Sequence, residues 1–175
     1  MVLRNYNFHM SRPIVVFSCA LLAFVASTAA AQDVSRAYCG KDGKAHLVNR
    51  DGAAETPATE PKQVGCDHIT VARDGRTVGW SVLAENCCTS YSTPIAVVVF
   101  HNRKQTVILP GQMVWEWRFL NDGKRVAVLS GPVHGDATIA VLYDANDGKA
   151  LERWSGKTTP PNWAAGWEKQ FAGRE

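Results

Sequence analysis

The dipeptide Asp-Gly occurs five times in this chain, at 42–43, 51–52, 74–75, 122–123 and 147–148, mostly between runs rich in Val, Ile, Thr and aromatic residues. Both residues tolerate the positive φ that two-residue primed turns require, so Asp-Gly between β-type runs is a strong hairpin signal. A chain punctuated in this way folds as consecutive antiparallel strands. The runs place ten strands near 35–39, 44–49, 68–73, 76–84, 94–101, 104–109, 112–119, 124–130, 137–144 and 149–155. Alternation is clear in two of them. Val78, Trp80 and Val82 share one face, and Trp115, Trp117 and Phe119 share one face of another strand, with Glu116 and Arg118 opposite. Ile95 to Phe100 is apolar throughout and reads as a central strand covered on both sides.

Two segments depart from the strand pattern. Residues 53–65 carry Glu, Thr, Pro, Ala and Lys with Val64 as the one large apolar residue, and read as a surface loop. In the tail, Pro160-Pro161 halts the last strand and Asn162 is a capping residue type. Trp163, Trp167 and Phe171 follow at i, i+4 and i+8, which predicts a short amphipathic helix over 162–172 with its rings on the body of the domain.

The chain also repeats itself. The run from His68 to Val82 and the run from Trp117 to Leu129 have the same form, with their Asp-Gly turns 48 residues apart; Ile95-Ala-Val-Val-Val and Ile139-Ala-Val-Leu-Tyr correspond 44 apart. A period in the mid-forties with four strands per unit is the pattern of a propeller blade. Over residues 68–155 the Asp-Gly-Arg/Lys hairpins and the apolar pattern around them resemble the WD40-like, TolB-type β-propeller repeats of bacterial envelope proteins. That resemblance implies blade-like four-stranded units, at 68–109 and 112–155, beside a half blade or hairpin at 35–50. A closed ring needs at least about four blades, so the central channel of the family, and its binding role, do not carry over. The expected fold is all-β: one domain of two four-stranded antiparallel units, as a partial propeller or packed sheets, with an N-terminal hairpin and a short C-terminal helix.

The first 31 residues have the order of a cleavable secretory signal. Arg4 and Arg12 supply a basic start, Ile14 to Ala26 is an apolar run broken only by Ser18, and Ala29-Ala30-Ala31 offers small residues for a signal peptidase. The run is shorter than the roughly 20 residues of a membrane span. Met10 is an alternative start that leaves Ser11-Arg12-Pro13 as a compact basic region. Val16-Phe17-Ser18 before Cys19 makes a poor lipobox, which favours a soluble periplasmic or secreted product. The remaining 144 residues hold 17 Lys and Arg against 16 Asp and Glu, a net charge of +1, with no basic block interleaved with aromatics, so nucleic acid is not an expected partner.

Four cysteines follow the signal: Cys39, Cys66, Cys87 and Cys88. In an exported domain an even count reads as two disulfides with three connectivities. Cys39–Cys66, closing a polar loop, and a vicinal Cys87–Cys88 bridge are the favoured pairing, with crossed pairings open. No Cys-x-x-Cys pair is present and no two histidines have ligand spacing, so neither a metal nor another cofactor is expected.

Two loops carry the candidate binding residues. Glu85 to Thr93 contains Asn86, Cys87, Cys88 and Tyr91; Ser130 to Asp136 contains His134 and Asp136, with Gly131 and Gly135 permitting close backbone approach. The loops hold equivalent places in the two repeats, so they are candidates to form one site. Ser130, His134 and Asp136 suggest a nucleophilic set, but no nucleophile-elbow sequence surrounds Ser130. His46, His68 and His101 read as ordinary strand or turn positions. Trp115 and Trp117 read as core, given Val114, Phe119 and Leu120 beside them, or as a ligand platform if exposed. The expected function is a non-catalytic binding or interaction domain of the cell envelope, contacting an envelope protein or a small ligand. An inhibitor or immunity-like role is its specific form, and a small periplasmic hydrolase using His134 and Asp136 is the alternative. The mature N-terminus is expected at Gln32, and the intact mass of protein taken from a periplasmic extract checks it; a mass that retains Ile14–Ala26 refutes the export signal.

Overall fold

The structure is a computed structural model that describes residues 33–86, 90–133 and 138–171. Residues 1–31 of the expected signal therefore lie outside the described residues. Eleven strands form: β1 (Val34–Cys39), β2 (Ala45–Asn49), β3 (Ala54–Glu55), β4 (Gln63–Val71), β5 (Val78–Ala84), β6 (Thr93–His101), β7 (Lys104–Ile108), β8 (Met113–Leu120), β9 (Arg125–Gly131), β10 (Ile139–Asp144) and β11 (Ala150–Trp154). They make three antiparallel sheets, β1-β2-β3, β4-β5-β6-β7 and β8-β9-β10-β11, each in chain order. This is the all-β arrangement expected from the repeat: two four-stranded blade-like units preceded by a small sheet built on a hairpin.

Alternating side chains make each four-stranded sheet the middle of a layered stack. From β6, Ala96, Val98 and Phe100 join Val78, Trp80 and Val82 of β5 against Val34, Ala45 and Leu47 of the N-terminal sheet. Val97 and Val99 point the other way, to Val126, Val128, Val141 and Tyr143 of the last sheet. The opposite face of that sheet, through Ala127, Leu129, Ala140 and Leu142, is covered by Trp154 and the C-terminal Ala164, Trp167 and Phe171. The unbroken apolar run of β6 is thus explained by burial on both faces. The Cys39–Cys66 disulfide, with Cα atoms 5.7 Å apart, ties β1 of the small sheet to β4 of the next. Such a bridge stabilises by about 2–4 kcal/mol in the chain-entropy account.

At 122–123 both residues of Asp-Gly have positive φ, as expected, and the other four Asp-Gly turns differ from expectation in type. A type I′ two-residue turn puts both central residues at positive φ, and this occurs at Asn102 (φ 49°) and Arg103 (φ 59°), between His101 and its partner Lys104. At the Asp-Gly sites of 42–43, 51–52, 74–75 and 147–148 the glycine alone is left-handed. The aspartate closes these turns with its side chain instead. Asp42, Asp51, Asp74 and Asp147 each accept a backbone N–H two residues on, from Lys44, Ala53, Arg76 and Lys149. The supposed loop at 53–65 contributes β3 and the start of β4. Gln63 anchors it there, donating from its amide to the carbonyl of Gly43 at 2.9 Å.

Two further expectations are corrected. A bulge between Val114 and Glu116 displaces Trp115, so Val114 and Trp117, not Trp115 and Trp117, are the buried residues of β8. Trp115 is 37% exposed whereas Trp117 is 2% exposed. The C-terminal helix is replaced by two separate 3-10 turns, Asn162–Ala164 and Glu168–Gln170. Gly166, at φ 90°, turns the chain between them and prevents a continuous helix. Trp167 and Phe171 are still buried, and Arg118 clasps the segment through the carbonyls of Trp163 (3.0 Å) and Ala165 (2.6 Å), with its guanidinium 4.4 Å from the Trp167 ring.

Trp117 sets the join between the four-stranded sheets. Its indole N–H donates to Ser81 Oγ at 2.9 Å, and its ring lies where a Cβ on Gly79 would stand, 2.6 Å from Cη2. His68, held at φ 48° in the irregular part of β4, meets the same ring edge-on at 5.1 Å. Gly79→Ala is expected to cost about 1–3 kcal/mol by overpacking, and Trp117→Ala about 3–5 kcal/mol. Trp115→Ala is expected to cost clearly less than either. Urea unfolding midpoints of the three variants check the order.

Candidate functional site

The strand register gives the stack two ends. One carries the β4–β5 turn, the end of β6, and the β8–β9 and β10–β11 turns; the other carries the links from β5 to β6 and from β9 to β10. The binding loops expected from the sequence leave at the second end. Of the candidate binding residues they carry, Asn86 and Tyr91 are described, and Tyr91 is exposed. Cys87, Cys88, His134 and Asp136 lie outside the described residues, as does the expected vicinal bridge. Trp115 sits at this same end, against Gly131, where an added Cβ would come 3.1 Å from its ring.

The first end holds a cleft of about 420 Å³ between the two four-stranded sheets. Its floor is Val99, Thr106 and Ala145, all buried. Charged residues at the strand ends and turns form its rim: Asp74 before β5, Asp122 and Lys124 between β8 and β9, and Asp144 at the end of β10, with Lys104 at the start of β7. The walls are cross-bonded. Asn146 offers its carbonyl to both Lys104 Nζ (3.0 Å) and Thr106 Oγ1 (2.9 Å), and the N–H of Ala145 donates to the carbonyl of Lys124 at 3.0 Å. Gly123 packs so closely on the first sheet that a Cβ there would come within 2.9 Å of Ala72 and Thr77. With φ at 85°, it also has a backbone that suits glycine.

A chain of hydrogen bonds runs along one wall. Thr77 Oγ1 donates to Asp74 Oδ2 at 2.6 Å and lies 2.9 Å from His101 Nδ1, while His101 Nε2 is 2.9 Å from the Asn102 amide nitrogen. The network assigns the tautomer. The single hydroxyl proton goes to the carboxylate, so His101 must donate from Nδ1 and accept from Asn102 at Nε2. Asp, Thr and His are therefore adjacent without making a catalytic set: the imidazole nitrogen facing the hydroxyl already carries a proton, and Thr77 is buried. Burial alone pushes the Asp74 carboxyl up. The bonds from Thr77 Oγ1 and from the N–H groups of Arg76 and Thr77 outweigh it and hold Asp74 below the ordinary carboxylate value.

A second constellation lies on the small N-terminal sheet. His46 Nε2 is 3.0 and 3.1 Å from the Asp42 carboxylate oxygens, and Thr56 Oγ1 is 3.0 Å from Nδ1. Tyr38 stacks on the imidazole at 5.2 Å and Arg36 lies over Tyr38 at 4.7 Å. Gly40 makes room for the pair, since a Cβ there would overlap both Asp42 and His46. The hydrogen bond from His46, then that from the Lys44 N–H, holds Asp42 below the ordinary carboxylate value. Here the order hydroxyl, imidazole, carboxylate is chemically right for a nucleophile. Asp42 and Thr56 are, however, exposed to water, where the electrostatic advantage of such an array is small. Neither His46 nor His101 stood out in the sequence, because the hydroxyl partners Thr56 and Thr77 lie 10 and 24 residues away. The Asp-Gly signal marked Asp42 and Asp74 as turn residues and was silent about what else they bind.

No family model matches the chain, and no curated protein matches it. Among solved structures the chain is similar to dihydro-heme d1 dehydrogenase NirN in complex with DHE, at 12% identity and a TM-score of 0.28 over 69% of this chain and 36% of that one. The chain thus spans about a third of that protein's length, and so loose a superposition says nothing of ligand or activity. The class defined by the structure itself is an open, layered all-β domain with blade-like sheets.

Because the folded pKa of Asp74 lies below its ordinary 3.8, the stabilisation from its bonds is complete above that value and is lost as pH falls through the lowered one. Asp74→Asn keeps an acceptor for the turn N–H groups but loses the charge. Wild type is expected to be more stable than Asp74→Asn at neutral pH, with the gap narrowing as pH falls below 3.8. Urea midpoints of both proteins across that range check it; a gap that stays constant overturns it.

Proposed function

We propose that this is an exported, non-catalytic recognition domain of the bacterial cell envelope, and that the cleft between the two four-stranded sheets is its binding surface. An inhibitor or immunity-type role, plugging a partner protein, is the most specific form of this reading. Export is supported by the order of features in residues 1–31 and is compatible with the Cys39–Cys66 disulfide. No described helix is long and apolar enough to cross a membrane.

The observation that carries the recognition reading is the construction of the cleft. Its walls are hydrogen-bonded between rigid turns, so little conformational freedom is lost when something binds. It joins a buried apolar floor to charged rim groups, the usual make-up of a binding pocket. The hydroxyl nearest its histidine is committed to Asp74, which supports binding over nucleophilic catalysis.

Capture of partners from an envelope extract by the mature protein tests the reading. A Lys124→Gln, Asp122→Asn protein is expected to fold normally and to lose captured material, since both residues are exposed turn positions. Trp115→Ala, at the other end of the stack, is expected to retain it. Retention by the cleft variant with loss in Trp115→Ala moves recognition to the other end and refutes the cleft.

A further inference from the structure

The cleft carries charges of both signs that are not spent on each other. Among the described residues the ion pairs are His46–Asp42 and Arg76–Asp33, and neither involves its rim. Lys104 is held by a backbone carbonyl and Asp74 by Thr77, which leaves Lys124, Asp122 and Asp144 as the groups facing an incoming molecule. Asp144 uses Oδ1 to accept the N–H of Asn146, so Oδ2 is available.

We propose that this cleft binds a small zwitterion of amino-acid or dipeptide size, its carboxylate on Lys124, its ammonium on the Asp122 and Asp144 carboxylates, and its apolar body on Val99 and Ala145. The proposal rests on the recognition reading above and adds the ligand's chemistry. A multiply charged anion such as a phosphate meets three carboxylates at this rim, and a simple organic cation meets two lysines. A molecule carrying one charge of each sign satisfies both halves. No group of three His, Cys, Asp or Glu among the described residues is placed to hold a metal ion instead. The volume of about 420 Å³ lies at the small end of ligand pockets, which suits a compact molecule.

Titration calorimetry with alanyl-leucine, its N-acetyl form and its C-terminal amide tests this. The free dipeptide is expected to bind at least about tenfold more tightly than either blocked form, the usual cost of removing a charge-assisted contact. Lys124→Gln is expected to abolish discrimination between acid and amide while leaving discrimination against the acetylated amine. The Asp122→Asn, Asp144→Asn protein is expected to do the reverse. Asparagine preserves the Oδ1 acceptor at 144 and tolerates the positive φ at 122, so both proteins should fold, as an unchanged melting midpoint verifies. Equal binding of the blocked forms, or no binding of any form at millimolar concentration, overturns the proposal. The placement of recognition in the cleft fails separately, when the cleft variants keep the material captured from extract and Trp115→Ala loses it.

Discussion

The contact between the two four-stranded sheets is organised around one indole. Trp117 belongs to β8 of the second sheet, but its ring is accommodated by the first, over Gly79 and bonded to Ser81 of β5. A tryptophan buries a large apolar surface and brings a donor that is costly to bury without an acceptor. Gly79 provides the space and Ser81 the acceptor, two residues apart on the same face of one strand. With the ring seated, Val126 and Val128 oppose Val97 and Val99, and the β8–β9 turn is brought onto Ala72 and Thr77. The cleft is what remains between the sheets beyond that contact, where the paired strands give way to turns.

Much of this architecture is readable in the residues. The 44- and 48-residue repeat spacings locate both four-stranded sheets, and the unbroken run of β6 announces burial on two faces. Where reading fails, the cause is a tertiary contact or a local break in alternation. The period-2 rule puts Trp115 with Trp117, and one bulge between Val114 and Glu116 undoes it. Spacing at i, i+4, i+8 suggests a helix in the tail. Gly166 and the clasp by Arg118 give instead a segment that follows the sheet surface and still buries Trp167 and Phe171. Polar residues at 53–65 disguise a strand, because β4 lies at the edge of its sheet and its start needs little apolar surface.

The candidate site was less legible than the fold, and the reason is physical. Loop polarity, Cys87-Cys88 and the His134, Asp136 spacing drew attention to one end of the stack. The cleft at the other end is assembled from residues whose local role looked complete. Asp74 closes its own turn through Arg76 and Thr77, and only the fold brings His101 to the Thr77 hydroxyl that bonds its second oxygen. Asp122 and Lys124 flank a glycine that has to be left-handed, so the turn explains their setting without revealing what they face. A turn signal reports backbone geometry, and recognition depends on which turns are brought side by side.

The stack also has to end, because each added blade exposes a fresh apolar face. A closed propeller solves this by returning to its first blade. Here the two outer faces are closed by different means. On one side the three-stranded sheet supplies Val34, Ala45 and Leu47, stapled in place by Cys39–Cys66. On the other, a segment without strands supplies Trp167 and Phe171, held by Arg118 and accommodated at Gly156, whose missing Cβ would otherwise meet the Phe171 ring. Both covers reach across the apolar faces and leave the turn end open. Among the described residues, a stack of sheets capped in this way encloses no central channel. The place left for a ligand is the seam between neighbouring sheets, where the charged turns of one stand over the strand ends of the other.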